Sequence, residues 1–385
     1  MDILRASFIA VVVISQTVRA FPPYPYDLYV PGTNGSVGVD VPILPLKFQE
    51  WYPELEDALR GASTTSCQLS LQAYLGNMTA RIELKKVGYH HNYCSLHNDC
   101  ILGTVYQSAV AHMAAASMLL DLTPTILASL GPTISEISLL SSQRPFLSLL
   151  LAMGAPATFP SRFLSYSDPL QLLHRSSGLG LRKIRQIPTS WAAVLSLFQY
   201  IVAGIAIWNI IATSRQLGSW TVISWQCDNS WFSLFWSLTP IAIHAPAVLG
   251  FRLYRRRSKG IRLHRGTQSD DSREAKESFL QVMFRNLSRI WRNETIISAK
   301  IDSLVVPEEL AEAGGWVIWI QALATLFSLL QIVLGTAIFS SLLYIGIEDA
   351  ALLFLRYAIS AVACRIIIYI EVGGLAGATQ GGKAG

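Results

Sequence analysis

Charge is what this 385-residue sequence has least of: Asp, Glu, Lys and Arg together make up 14% of it, against roughly 25% in an ordinary soluble chain. So few charges argue against two or three soluble domains. With 51% hydrophobic residues and a mean hydropathy of +0.39, they point instead to a polytopic membrane protein. The sequence also lacks a phosphate-binding Walker loop, a His-Glu-x-x-His pair, a Gly-x-Ser-x-Gly elbow and a kinase signature. Gly178-Leu-Gly180 has neither the third glycine nor the flanking strand and helix of a dinucleotide site. These absences leave an enzymatic activity without support and imply no cofactor. The formal net charge of +5 comes without a basic patch interleaved with aromatics, so no nucleic-acid module is indicated.

What is present begins with MDILRASFIAVVVISQTVRA. Its features are Arg5, an apolar core from Phe8 to Ile14, and Val18 and Ala20 at the −3 and −1 positions. Residues 1–20 therefore read as a signal peptide; an uncleaved anchor is the alternative, and either delivers the chain from residue 21 to the lumen or exterior. Residues 21–100 form an extracellular or lumenal N-terminal region that opens on the extended, proline-rich FPPYPYDLYVPG. A short helix is expected over Pro53 to Arg60, and glycosylation sequons start at Asn34 and Asn77.

Four stretches are long and apolar enough to cross a bilayer, about 191–213, 230–251, 315–346 and 350–370, with a weaker one at 101–121. Residues 122–160 are apolar but interrupted by Pro124, Pro132, Glu136, Arg144 and Pro145, which leaves a sixth span or a re-entrant or interfacial segment. The loop charges favour the lower number. Loop 161–190 is rich in Arg and Lys, and RLYRRRSKGIRLHR opens loop 252–314 without an acid, so both belong on the cytoplasmic side. A single net crossing over 101–160, two helices within 191–251 and two within 315–370 satisfy every loop, and a Gly-rich cytoplasmic tail follows at 371–385. An amphipathic helix is expected over about 273–300, with Phe279, Met283, Leu287 and Trp291 on one face and Arg285, Arg289 and Arg292 on another. Such a helix lies on the anionic inner leaflet or packs beneath the bundle. Sequons at Asn286 and Asn293 fall on this side and are expected to carry no glycan.

Of five cysteines, Cys67, Cys94, Cys100 and Cys227 fall outside the membrane, where disulfides persist, and Cys364 falls within the last span. Three connectivities are possible. The pairing expected here is Cys94 with Cys100, as a local clasp inside HHNYCSLHNDC, and Cys67 with Cys227. The same stretch holds His90, His91, His97 and Asp99, but the five-residue gap between its cysteines exceeds the two to four of zinc pairs, so a disulfide and not a metal site is expected.

At membrane depth the polar candidates are His112, Asp121, His244 and Arg365, with Gln321, Gln331 and Arg356. His112 and His244 would meet as titratable relays if the protein transports ions; otherwise each bonds a neighbouring helix. Asp121 and Arg365 would pair near the cytoplasmic end, and Arg356 would snorkel outward.

The run MAAASMLLDLTPTILASLGPTISEISLLSSQRPFLSLLLAMGAP, from Met113 to Pro156, resembles a segment of a family of uncharacterised multi-pass integral membrane proteins of filamentous fungi. The likeness rests on Leu-Thr-Pro-Thr at 122–125, Leu-Gly-Pro at 130–132 and Ser-Gln-Arg-Pro at 142–145. It implies the membrane class and a fungal origin, and no substrate or catalytic residue. The fold expected is an all-α polytopic membrane protein with about five transmembrane helices and a small disulfide-bonded outer region. It would act as a non-enzymatic sensor, scaffold or partner subunit in a secretory-pathway or plasma membrane, with the lipid bilayer, inner-leaflet lipids and protein partners or a second copy as its contacts. The alternative is a transporter or channel.

Overall fold

The computed structural model of the chain describes residues 47–89, 92–161, 188–266, 293–298 and 315–381. The expected signal peptide, Asn34, residues 162–187 and most of the expected amphipathic helix lie outside these. Its regular elements are helices apart from one two-residue strand pair.

A small outer module comes first, built from α1 (Glu56–Gly61), a π-turn over Ala62–Ser66, α2 (Gln68–Tyr74), α3 (Met78–Lys86) and α4 (Tyr93–Thr104). Five apolar helical spans follow, Gln107–Leu130, Ser190–Trp220, Phe232–Tyr254, Gly315–Ser340 and Ile347–Leu375. They belong to α5 (Gln107–Leu130), α8 (Thr189–Trp220), α9 (Phe232–Leu238) with α10 (Pro240–Gly266), α11 (Gly315–Ser340) and α12 (Ile347–Gly381). The shortest has 23 residues, which at 1.5 Å each is about 34 Å and matches the hydrocarbon thickness of a bilayer. Their outward faces are apolar: Val194, Leu197 and Ile201 on α8, Leu330 and Val333 on α11, and Leu352 and Leu355 on α12 are exposed. Apolar outward faces on helices of this length suit contact with lipid. Exposed aromatics ring both ends, with Tyr106, Trp225 and Trp231 at the disulfide end and Trp191, Trp316 and Trp319 at the other, as at membrane interfaces. The chain is an all-α multi-pass membrane protein.

Between α5 and α8 the apolar segment 122–160 resolves into parts. Its first residues complete α5, and α6 (Ile134–Ser141) and α7 (Pro145–Gly154) then form a hairpin. Thr133 and Glu136 make a capping box at the start of α6, and the Ser148 hydroxyl donates to the Ile137 carbonyl at 3.0 Å, tying the two arms. Ile134 packs with Ile243 and Ala324, whereas Ile137 lies in a cluster with Phe251 and Val317, so α6 continues toward the end opposite the disulfides. Helix α7 returns until Gly154 meets Cys364 and Ala206. Residues 155–161 then run extended beside α11, so α7 is a re-entrant half-helix. Helix-poor backbone at this depth needs internal partners. Gln331 Nε2 donates to the Pro156 carbonyl at 2.8 Å, the Ser328 hydroxyl to the Thr158 carbonyl at 2.8 Å, and the Phe159 amide to the Pro132 carbonyl at 2.9 Å.

The disulfide end is closed by a short antiparallel pair, β1 (Val222–Ile223) with β2 (Leu342–Leu343). Beneath it Phe48, Trp51 and Tyr344 pack edge to face, and Tyr344 donates to Asn98 Oδ1 at 2.6 Å. The buried Lys47 ammonium donates to the Gly218 and Thr221 carbonyls at the end of α8, where the helix dipole favours a cation. Burial, partly offset by Asp228, lowers its pKa to about 8.

Three expectations are corrected here. The disulfides are Cys67–Cys100 and Cys94–Cys227. Cys94 and Cys100 stand on one helix, α4, where an offset of six positions sets them about 9 Å apart along the axis and on different faces, beyond the reach of a disulfide. Helix α4 also runs through residue 100, so the outer module ends near residue 105 and the first span begins at Gln107. The last helix continues through Gly381, so Glu371 belongs to the bundle, where it is buried, and not to a tail.

Candidate functional site

Among the described residues a dense polar cluster lies at the turn between α6 and α7, at the end away from the disulfides. Proline at 145 sets its geometry. It holds Arg144 out of the helical region and starts α7, leaving the first amides of the half-helix without intrahelical acceptors. Arg144 is fully buried. Its Nη1 contacts the Glu371 carboxylate at 2.9 Å and donates to Gln199 Oε1 at 2.7 Å; its Nη2 donates to the Ser196 hydroxyl at 2.5 Å and the Glu294 carbonyl at 2.9 Å.

Glu294 comes from a short helical turn, residues 293–295, between α10 and α11 in the sequence. Its Oε1 accepts from the Phe146 amide at 2.7 Å and its Oε2 from the Tyr200 hydroxyl. Arg144 thus meets one carboxylate from α12, one from the turn 293–295, and an amide and a hydroxyl from α8. Glu371 is completed by Gln199 Nε2 at 2.6 Å, the Ser298 amide at 3.0 Å and the Ser298 hydroxyl. The Arg144 guanidinium also lies 5.5 Å from the centre of the Tyr200 ring. A narrow groove between α8 and α12, lined by Phe198, Gln199, Val202 and Ile367, adjoins this cluster.

None of these residues stood among the sequence candidates, although signals existed: an arginine before a proline inside an apolar run, and an acid in IIIYIEVGG. The sequence candidates are dispersed. His112 is half exposed at the start of α5, its Nδ1 2.8 Å from Glu54 of the outer module. Burial would raise the Glu54 pKa, but the His112 hydrogen bond, the Glu348 and Asp349 amides and the His112 charge outweigh it and hold the carboxyl below its ordinary value. His244 lies on α10, its Nδ1 buried and without a hydrogen-bond partner among the described residues. The structure does not bring the two histidines together.

Arg365 pairs with Glu136 of the α6 capping box and not with Asp121, which is half-buried on α5. The register explains the change, because Glu136 is brought beside α12 by the continuation of α6 past the Gly131-Pro132 break. Arg356 does not snorkel: it is buried, with Nη1 donating to Gln216 Oε1 at 3.0 Å, while Asn209 binds the Arg356 carbonyl at 2.9 Å. Gln331, as above, holds the re-entrant backbone.

In the outer module Asn77 caps α3, accepting from the Thr79 amide at 3.0 Å, with its side chain exposed. His97 turns inward. Both ring nitrogens are engaged, Nδ1 with Ser70 at 2.9 Å and Nε2 with Ser63 at 3.0 Å, which withdraws it from any metal set with Asp99. His90 and His91 lie outside the described residues. Among the described residues no group of three or more metal-ligating side chains converges. Comparison of the chain with protein-family models, with curated proteins and with solved structures gives no match.

Proposed function

We propose that the chain is a non-enzymatic membrane protein of the secretory pathway or plasma membrane, acting as a sensor, scaffold or partner subunit. In this reading the disulfide-bonded module faces the lumen or exterior, and the basic loops face the cytoplasm and the anionic inner leaflet. One observation carries it: the polar side chains Gln331, Ser328, Arg356 and Arg144 in the bundle are engaged with the protein's own structure. Gln331 and Ser328 hold the re-entrant backbone, Arg356 is tied to α8, and Arg144 anchors a loop segment, while His112 and His244 stand apart. A carrier needs uncommitted polar groups facing a shared path. The outer module and the loop segment 293–298 are both fastened to the bundle, which suits a protein that links partners on two sides. The resemblance to multi-pass proteins of filamentous fungi agrees with this class.

The re-entrant half-helix favours transport as the second reading, since interrupted helices mark carrier sites. Reconstitution separates the two. Liposomes holding the purified chain are expected to pass protons, cations and small anions no faster than empty ones. A saturable flux abolished by His112→Ala or His244→Ala would establish the transporter. Glycan mapping tests the placement: Asn77 is expected to carry an N-glycan and Asn293, which bonds Gln143, none.

A further inference from the structure

Glu294 sits where a ligand's carboxylate would. Its cradle is assembled from three groups on two parts of the bundle: the Phe146 amide at the N-terminus of the half-helix α7, which gives a 2.7 Å bond, the buried guanidinium of Arg144 beside it, and the Tyr200 hydroxyl of α8. Helix N-termini and guanidinium groups both favour carboxylates. The fit of Glu294 is incomplete. Arg144 Nε is buried, has no hydrogen-bond partner among the described residues, and lies 3.7 Å from Glu294 Oε2. A charge-assisted N–H···O bond forms at about 2.8 Å, so the occupant stops roughly 1 Å short. The restraint is visible in its own backbone: the Glu294 carbonyl is fixed by Arg144 Nη2 and by the Ser196 hydroxyl, each at 2.9 Å, so the carboxylate reaches the cradle only from that anchor.

We propose that Arg144, the Phe146 amide and Tyr200 form a binding site for a small carboxylate, which Glu294 fills from within the chain and a free carboxylate displaces. An untethered carboxylate settles against Nε while keeping the Phe146 and Tyr200 bonds. The ligand's size follows from the occupant, since the Glu side chain beyond its Cα corresponds to propionate. Displacement loosens segment 293–298, whose other anchors are the Glu294 carbonyl on Arg144 and Ser196, Asn293 on Gln143, Ile297 buried against Ala192, and Ser298 on Glu371. The site stands on this geometry alone, whichever reading of the protein's function holds.

The test uses the full chain in nanodiscs with Ile297→Cys as a reporter. Four native cysteines are in disulfides and Cys364 is fully buried, so maleimide reads position 297. Propionate, replacing chloride at constant ionic strength, is expected to raise the labelling rate saturably, by about tenfold. In a second arm Glu294→Ala lowers the melting temperature and propionate restores part of the loss, where chloride at equal ionic strength does not. A labelling rate indifferent to propionate, or propionate without effect on the melting of Glu294→Ala, overturns the proposal.

Discussion

The guanidinium of Arg144, at the tip of the α6–α7 hairpin, lies 2.9 Å from the carboxylate of Glu371 on α12, and both side chains are fully out of solvent. Removing one member of such a pair strands a charge in a low-dielectric interior, at about 3–5 kcal/mol, while removing both costs far less. Arg144→Met and Glu371→Leu are each expected to lower the stability of the purified protein by that order. The double variant should retain more stability than the two losses add up to. Thermal unfolding of all four proteins closes the cycle; strict additivity would show that the two groups do not interact.

The disulfide pattern predicts distinct consequences for its two bridges. Cys94–Cys227 ties the outer module to the loop between α8 and α9, whereas Cys67–Cys100 closes within the module. Peptide mapping under non-reducing conditions is expected to yield the crosslinks 67–100 and 94–227. Cys227→Ser should loosen the module from the bundle, seen as proteolytic release near residues 105–106, and Cys67→Ser should expose sites within the module instead.

Spans and loop charges were legible in the sequence because they depend on length and local composition: about 30 Å of hydrocarbon demands some twenty apolar residues wherever the chain goes afterwards. The partners were less so. Cys94 and Cys100 look adjacent until α4 is known to carry both, and then they cannot meet. Glu136 looks like an interruption of a span, yet it caps α6 and binds Arg365, which required knowing that α6 continues past Gly131-Pro132. Glu294 fell at the end of the expected amphipathic helix, for which packing beneath the bundle was one of two readings, but nothing in the sequence paired it with Arg144. Its partner Arg144 was visible only as a residue that spoils an apolar run.

Two glycines mark approaches that a methyl group would block. A Cβ on Gly131 would collide with the Ala157 carbonyl, and one on Gly335 would strike the Trp236 indole and come within 2.8 Å of Pro124 Cγ. Small residues at such contacts let helix backbones close in. Trp236 is fully buried and donates to the Gln331 carbonyl at 2.9 Å, so it has little room to yield. Gly335→Ala and Gly131→Ala are each expected to cost about 1–3 kcal/mol, read as a lower melting temperature. Gly204→Ala, inside α8 with nothing within 4 Å, is the control and should not lower it, since alanine there favours the helix.

Acid should weaken the outer module through His97. The ring is fully buried against Phe48, with centroids 4.6 Å apart, and burial lowers its pKa to about 4. The Ser70 hydroxyl donates to the Cys67 carbonyl at 2.8 Å, so its oxygen accepts from His97 Nδ1–H, leaving Nε2 to accept from Ser63. The native state therefore holds the neutral ring. An unfolded chain takes up a proton near pH 6.5, so between about 6.5 and 4 the unfolded state binds more protons and stability falls as pH falls. The difference amounts to about 3 kcal/mol by the lower end of that window. Glu54, with its pKa depressed, contributes a separate loss below the ordinary carboxylate range. His97→Gln keeps one donor and one acceptor but does not titrate. The gap in melting temperature between wild type and His97→Gln should therefore shift against wild type on going from pH 7 to pH 4.5. A gap that stays constant across that range would show that His97 is not the group responsible.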